Sequence, residues 1–403
     1  MIGTPGSLDG LRILDLSRIL AGPSATQLLA DLGADVIKVE RPIVGDDTRG
    51  WGPPFLQDSE GADSDISAYF VSANRNKRSI AIDLGSEAGI SLVKRLAATV
   101  DVVVENYKPG DLDGRGLGYE NIRQIKPDII WCAISGFGQT GPYSNRTGYD
   151  FLIQAMGGIM SITGNSDAAG GRPVKVGVGI ADVMCGMYAS VGILAALRHR
   201  DQTGEGQYID LALYDTQVAW LINAATNHLV SGQVPRRIGN RHPNIAPYQT
   251  FSTADGEIAI AVGNDAQFVR FAEAIGLGEL GADERFRQNR DRVVNVDLLE
   301  HLIEDVLRAE ITEVWIERIL AVGVPAGAVA DIGQVLTDPH TVARDMVIHM
   351  KTDRNEDLKL LGNPLKMSAT PPKFSRPPPH IDQHRDDIIS ELEALERQAL
   401  IGA

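Results

Sequence analysis

The sequence predicts an α/β fold with a parallel sheet and a smaller α+β domain beside it, on three observations. Short β-rich runs alternate with helix-spaced stretches from residue 11 onward. Glycine and proline punctuate the early changes of pattern, at Ala21-Gly22-Pro23 and at Gly33. The alternation then gives way after residue 148 to mostly helical spacing.

Taken in order, 11–16 (LRILDL) reads as a buried strand, and 24–32 has helical spacing with Leu28, Leu29 and Leu32 on one side. Gly33 stops that helix and 35–40 (DVIKVE) is the next strand. The unit repeats as strand 79–84, helix 87–98, strand 101–105, helix 119–125 and strand 128–135. Such βαβ repetition predicts a Rossmann-like large domain over 1–215. Helices are expected at 149–160, 180–200 and 214–230, with a strand at 207–213. A smaller domain over 225–330 opens on a hairpin, 248–251 with 256–262 across Thr253-Ala254-Asp255-Gly256, followed by helices at 266–275, 298–307 and 311–322. In the remainder, 335–403, the run 371–379 (PPKFSRPPP) is a stiff extended connector and 386–398 an acidic helix.

Composition narrows the function. The 403 residues are 43% hydrophobic and 23% charged, with a formal charge of −15. That balance argues against a nucleic-acid partner or an anionic membrane surface. Cys132 and Cys185, the two cysteines, form no metal motif or disulfide framework, so the expected compartment is the reducing cytoplasm. The N-terminal stretch has no basic and apolar signal pattern, and no run is expected to be long enough to span a bilayer.

An acidic protein that binds an anion must gather its cations locally. Arg18, Arg41, Arg49, Arg75, Lys77, Arg78, Lys108 and Arg115 fall at or near predicted strand ends. Strand carboxyl ends in such a sheet face one crevice, so this set predicts a polyanion site, such as an ADP bearing an extra phosphate. The first βα turn lacks GxGxxG, which argues against a dinucleotide cradle. Asp182 is the candidate nucleophile, standing where a Gly-containing segment (Gly177, Gly179) enters a helix that also holds Gly186. The competing reading makes it a helix cap.

The motifs, in order, resemble the class III CoA-transferases, the group typified by formyl-CoA transferase and L-carnitine CoA-transferase. They include Leu8-Asp9-Gly10-Leu11, Asp15-Leu16-Ser17-Arg18, LGADVIKVE over 32–40, and Gly45-Asp46-Asp47-Thr48-Arg49. Asn76-Lys77-Arg78-Ser79, Glu105-Asn106-Tyr107-Lys108-Pro109-Gly110, Ser135-Gly136-Phe137-Gly138, Gly204-Glu205-Gly206-Gln207 and Pro247-Tyr248-Gln249 continue the series. Nearly the whole chain is covered. Trp51-Gly52-Pro53-Pro54-Phe55, Gly148-Tyr149-Asp150 and Asn244-Ile245-Ala246-Pro247-Tyr248 are similar to the succinyl-CoA:glutarate branch of that family.

The resemblance implies that Asp182 is catalytic and that coenzyme A, carried as acyl-CoA, contacts Arg18, Ile19, Ala21, Arg41, Ala73, Asn76, Lys77 and Arg78. It further implies contacts from Asn106, Tyr107, Lys108, Arg115, Ser135, Gly136, Phe137 and Gly138. It also implies an interlocked homodimer in which the C-terminal segment returns to the large domain, a carboxylic acid as acceptor, and no metal. Where formyl-CoA transferase has a glutamine after the first strand, this chain has Ile19 or Leu20. A CoA-contacting arginine of that enzyme aligns near Gly114, with Arg115 adjacent, and its polyglycine loop has no counterpart. Succinyl-CoA as donor and a dicarboxylate such as glutarate as acceptor are the expected pair.

The implied chemistry is covalent, through an acyl-aspartyl anhydride and then an aspartyl-CoA thioester, with Gly136 and Gly138 as candidate oxyanion donors. A rival on the same fold is a 2-methylacyl-CoA racemase, which pairs the equivalent aspartate with a histidine. Here that position is Tyr149, and phenols ionise too high to replace imidazole as a base. A non-catalytic CoA-binding protein would have no use for Asp182. Arg241 is a candidate partner of an acceptor carboxylate with His242 lining its pocket, against the equal alternative of a structural loop; Cys185 is expected as a buried filler, and Asp150 as a cap for the helix that follows it.

Overall fold

The computed structural model describes residues 5–57, 61–352, 355 and 357–402. The chain divides into two compact units, the first made of Met1–Gly158, Val176–Trp220 and Pro339–Ala403, the second of Ile159–Lys175 and Leu221–Asp338.

In the first unit, strands β1 (Arg12–Asp15), β2 (Asp35–Glu40), β3 (Phe55–Gln57), β4 (Asp63–Ser67), β5 (Lys77–Ala81), β6 (Val102–Glu105), β7 (Ile130–Ser135) and β8 (Tyr208–Ala212) follow one another. Six of them form one sheet in the order β5-β2-β1-β6-β7-β8, with every pairing parallel. Counted among themselves they run 3-2-1-4-5-6, so the winding reverses between β1 and β6. Ligands of open parallel sheets bind outside the carboxyl ends of the strands at such a reversal.

The inner strands carry mostly apolar residues because both faces of the sheet are covered. Ile13, Val36, Val102, Val104, Ile130, Cys132 and Ile134 pack against helices Ala21–Asp31 and Ile180–Thr203. Leu14, Ile37, Val39, Ile80, Val103, Trp131 and Ala133 meet helices Glu87–Ala97 and Arg385–Gly402 on the other face. Helix Ile180–Thr203, 24 residues long, is long and apolar enough to cross a membrane by length and composition. This corrects the expectation that no run reaches that length; here Ala181, Cys185, Ala189 and Ile193 bury one side of it in the core.

Two helices expected as continuous are broken. The stretch 149–160 becomes Asp150–Met156 and Ile159–Ile162, and 214–230 becomes Leu213–Ala219 and Ile222–Ser231. Both breaks fall where the chain passes between units. Hydrophobic spacing runs straight through them, so periodicity carries no mark of either. The second unit holds the expected hairpin, Tyr248–Ser252 with Glu257–Ala261, joined by Ala326–Ala328. Helices Asp265–Ala274, Val296–Leu307 and Thr312–Ala321 pack on it around Phe251, Ile258, Phe268, Phe271 and Trp315.

Candidate active site

The crevice forms at the winding reversal. The Arg18 amide donates to Asn106 Oδ1 (2.8 Å) and Asn106 Nδ2 donates to the Arg18 carbonyl (2.7 Å), locking the loops after β1 and β6 together. Ile19 follows with φ +71°, a left-handed conformation that a β-branched residue adopts only under strain. Its amide donates to Asp46 Oδ2 at 3.2 Å, and Lys38 Nζ, donating to the same carboxylate oxygen at 2.9 Å, also donates to the Ser17 carbonyl at 3.0 Å. Burial works against an ionised Asp46, but Lys38 and the Thr48 donors outweigh it and hold the carboxyl at about 2.

Asp182 lines a cavity with Arg18, Ile19, Leu20, Ser135, Gly136 and Tyr149. It is the third residue of its helix, and the helix N-cap, Gly179, has no side chain to offer. The capping carboxylate is Asp150, which accepts from the Ala181 amide (2.8 Å), the Asp182 amide (3.4 Å) and Gln154 Nε2 (2.7 Å). Asp150 was expected to cap its own helix; instead it caps the one that carries Asp182. This frees the Asp182 carboxylate, which accepts no hydrogen bond among the described residues. Burial and then the neighbouring Asp150 charge push its pKa up to about 7. A poorly solvated carboxylate with no donor to quench it is a reactive nucleophile. Sequence reasoning missed Tyr69, whose phenol is pushed up to about 12 by burial and by the charges of Asp182, Asp150 and Asp46. Nothing in its surroundings, Ser67-Ala68-Tyr69-Phe70, distinguishes it from a core aromatic.

Gly136 lets two backbones meet, since a Cβ there would lie 2.6 Å from the Gly148 Cα. Gly136→Ala is expected to force these segments apart and destabilise the first unit by about 1–3 kcal/mol in urea unfolding. Gly186 plays a comparable part between helices, where a Cβ would meet the Ala21 carbonyl oxygen at 2.7 Å, whereas Gly177 has open space around it.

A second cavity adjoins the first, sharing Arg18 and adding Arg41, Tyr107 and Arg115 with Asp83, Leu84 and Gly85. The Nε atoms of Arg18 and Arg115 are buried without a hydrogen-bond partner, so both guanidiniums keep donor capacity for an anion. Lys108 lines the Asp182 cavity, is exposed, and has no side-chain partner among the described residues. Arg18 and Arg41 both pair with Asp47, at 2.9 and 2.6 Å.

Several expected contacts lie elsewhere. Register pairs Lys77 with Val36 and Arg78 with Ile37, which puts Ala73, Asn76, Lys77 and Arg78 at or before the amino-terminal end of β5, away from the crevice. Arg78 pairs with Asp35 and Glu391, and Lys77 is fully buried against Asp15, Asn74 and the Pro23 carbonyl. Asn76 Oδ1 accepts from the Ser375 and Arg376 amides, tying down the proline-rich connector. Arg49 and Arg75 are spent on buried Glu40 and Asp31. The loop that lines the crevice is 83–85, after β5, as the carboxyl-end rule itself requires. Phe137 is buried between Tyr143 and Tyr214, and the Gly138 amide already donates to Ser135 Oγ at 2.9 Å, so it is no oxyanion donor. Cys185 is buried, its thiol pushed well above the usual range by that burial. In the second unit Arg241 is held by Asp297 (2.6 Å) and Glu300, which favours the structural-loop reading over pairing with a carboxylate ligand.

The sequence profile of CoA-transferase family III matches residues 8–385. The chain belongs to that family and is a CoA-transferase. It is 44% identical over 398 residues to the succinate–glutarate CoA-transferase of Agrobacterium fabrum, covering 97% of each chain. It is 42% identical to the succinyl-CoA:glutarate CoA-transferase of Mus musculus, over 98% of this chain and 88% of that one. The crystal structure of a CAIB/BAIF family protein from Brucella suis superposes with a TM-score of 0.85 at 46% identity, covering 97% of this chain and 100% of the other.

Proposed function

We propose that this CoA-transferase moves CoA from succinyl-CoA to a dicarboxylic acid such as glutarate, with Asp182 as the nucleophile. The observation that carries the reading is the unpartnered Asp182 carboxylate lining a cavity that shares Arg18 with a second, arginine-lined one. The relatives named for succinate and glutarate support the substrate pair. The sheet is read as Rossmann-like on its strand order, with the CoA phosphates drawn to Arg18, Arg41, Arg115 and Lys108.

Asp182 attacks the donor thioester carbonyl, expelling CoA thiolate and leaving an acyl-aspartyl anhydride. The thiolate then attacks the aspartyl carbonyl, releasing the donor carboxylate and forming an aspartyl-CoA thioester. The acceptor carboxylate attacks that thioester to give a new anhydride and free thiolate. Thiolate attack on the acceptor carbonyl finally yields the new acyl-CoA and regenerates Asp182. One thioester replaces another, so no external energy source enters. Gly136, lining the Asp182 cavity, is the backbone candidate for stabilising the tetrahedral oxyanions. Tyr149, exposed at the cavity, offers no histidine for racemisation.

The functional form is read as an interlocked homodimer in the cytoplasm. Helices Asp150–Met156 and Ile180–Thr203 leave Phe151, Leu152, Met187, Tyr188, Val191 and Leu194 exposed, an apolar surface that suits a second copy. Val191→Glu is expected to shift the mass measured by light scattering from dimer to monomer.

The reading is tested by incubating the protein with succinyl-CoA and a panel of free acids, and identifying new CoA esters by mass spectrometry. A glutaryl-CoA product supports it. Deuterium uptake at the α-carbon of a 2-methylacyl-CoA without exchange would replace it with racemisation. Arg18→Ala is expected to raise KM for succinyl-CoA about 10- to 100-fold, as loss of a charged hydrogen-bond donor does.

A further inference from the structure

The cavity that Asp182 lines holds about 150 Å³, below the roughly 300–1,000 Å³ typical of whole ligand sites, so the side chains around it face the same few substrate atoms. Most of its polar groups are already committed. The Ile19 amide donates to Asp46, and Asn106 is tied at both ends to the Arg18 backbone. Ser135 Oγ takes the Gly138 amide. Lys108 and Arg18 keep free donors, but these are the cations drawn to the CoA phosphates.

Tyr149 differs from all of these. It lines the cavity and is exposed there, and its hydroxyl makes no hydrogen bond among the described residues. Contacts within the first unit fix it from both sides. Gly148 before it abuts Gly136, where a Cβ would lie 2.6 Å from the Gly148 Cα. Asp150 after it accepts from the Ala181 amide at 2.8 Å, and the Tyr149 carbonyl accepts from the Ile153 amide at 3.0 Å. The ring is therefore carried between the backbone candidate for the oxyanion, Gly136, and the first turn of the helix that bears Asp182. Thr147 also brings a free hydroxyl to the cavity, on a side chain too short for a phenol's reach. The Asp182 carboxylate accepts no hydrogen bond among the described residues, so the phenol is not spent on the nucleophile at rest. A donor that engages only as charge develops raises kcat rather than substrate affinity.

We propose that Tyr149 is a further catalytic residue, its hydroxyl donating a hydrogen bond to the oxyanion that forms on the substrate carbonyl when Asp182 attacks. The assignment rests on the transferase reading above. The phenol keeps its proton throughout, and the oxyanion collapses by expelling CoA thiolate as before.

The test compares wild type with Tyr149→Phe in CoA transfer from succinyl-CoA to glutarate. The variant is expected to lose about 100-fold or more in kcat, with KM for succinyl-CoA and Tm unchanged. The CoA adduct on Asp182, followed by quenched-flow peptide mass spectrometry, is expected to form more slowly by the same factor. A fluorinated tyrosine at this position keeps the hydroxyl and is expected to keep the activity. Unchanged kcat in Tyr149→Phe, a loss confined to KM, adduct formation at the wild-type rate, or equal loss with the fluorinated ring would each overturn the assignment. A wild type that transfers no CoA overturns the transferase reading and this assignment together, whereas full activity in Tyr149→Phe overturns this assignment alone.

Discussion

Asp182→Asn is expected to abolish CoA transfer, by on the order of 10⁴-fold or more, while making the protein more stable at pH 8. The loss is large because the amide cannot form the anhydride, and deleting a covalent nucleophile removes the pathway rather than one contact. The gain follows from linkage. Burial and Asp150 raise the folded-state pKa of Asp182 from 3.8 to about 7. Between those values the folded state binds more protons than the unfolded one, so stability falls as pH rises through that window and stays lowered above it. A neutral amide escapes this, and Tm at pH 8 is expected to rise by a few degrees over wild type, with the difference vanishing near pH 4. The same titration sets the acid limb of activity: kcat/KM falls below about pH 7 as the carboxylate is protonated. A calorimetric pH series on both proteins, with a pH–rate profile for wild type, checks all of it.

The second large effect is expected beneath the site. Asp46→Ala removes the carboxylate that pairs at 2.9 Å with the fully buried Lys38 ammonium and releases the Ile19 amide that it holds in a strained turn. Breaking one half of a buried pair leaves an uncompensated charge, at about 3–5 kcal/mol. Urea unfolding is expected to show a loss of that size. The double variant Lys38→Met, Asp46→Ala is expected to recover part of it, because the stranded charge is then gone. Both variants should bind acyl-CoA more weakly, since the Arg18–Leu20 turn loses its anchor. Full affinity in either would detach this network from the site.

Much of the frame was legible in the sequence because burial on both faces leaves continuous apolar runs, and β2 falls on the expected residues 35–40. The cavity around Asp182 was legible through the family motifs, together with the rule that ligands gather at strand carboxyl ends. What could not be read was which charges were already spent. Arg49, Arg75, Lys77 and Arg78 look like ligand cations in a linear chain, but their acidic partners Glu40, Asp31, Asp15 and Asp35 come close only through sheet register and helix packing. The same holds for Arg241 and for Asp150, whose carboxylate caps a helix that starts thirty residues later. The loop 83–85 was reachable by the carboxyl-end rule, and the motif around Asn76 drew attention to the wrong end of β5.

The most direct measurement is peptide mass spectrometry of the protein quenched after mixing with succinyl-CoA and no acceptor. A CoA adduct, cleaved by hydroxylamine, is expected on the peptide carrying Asp182 and absent from Asp182→Asn. An adduct on any other residue, or rapid transfer to glutarate by Asp182→Asn, would contradict it.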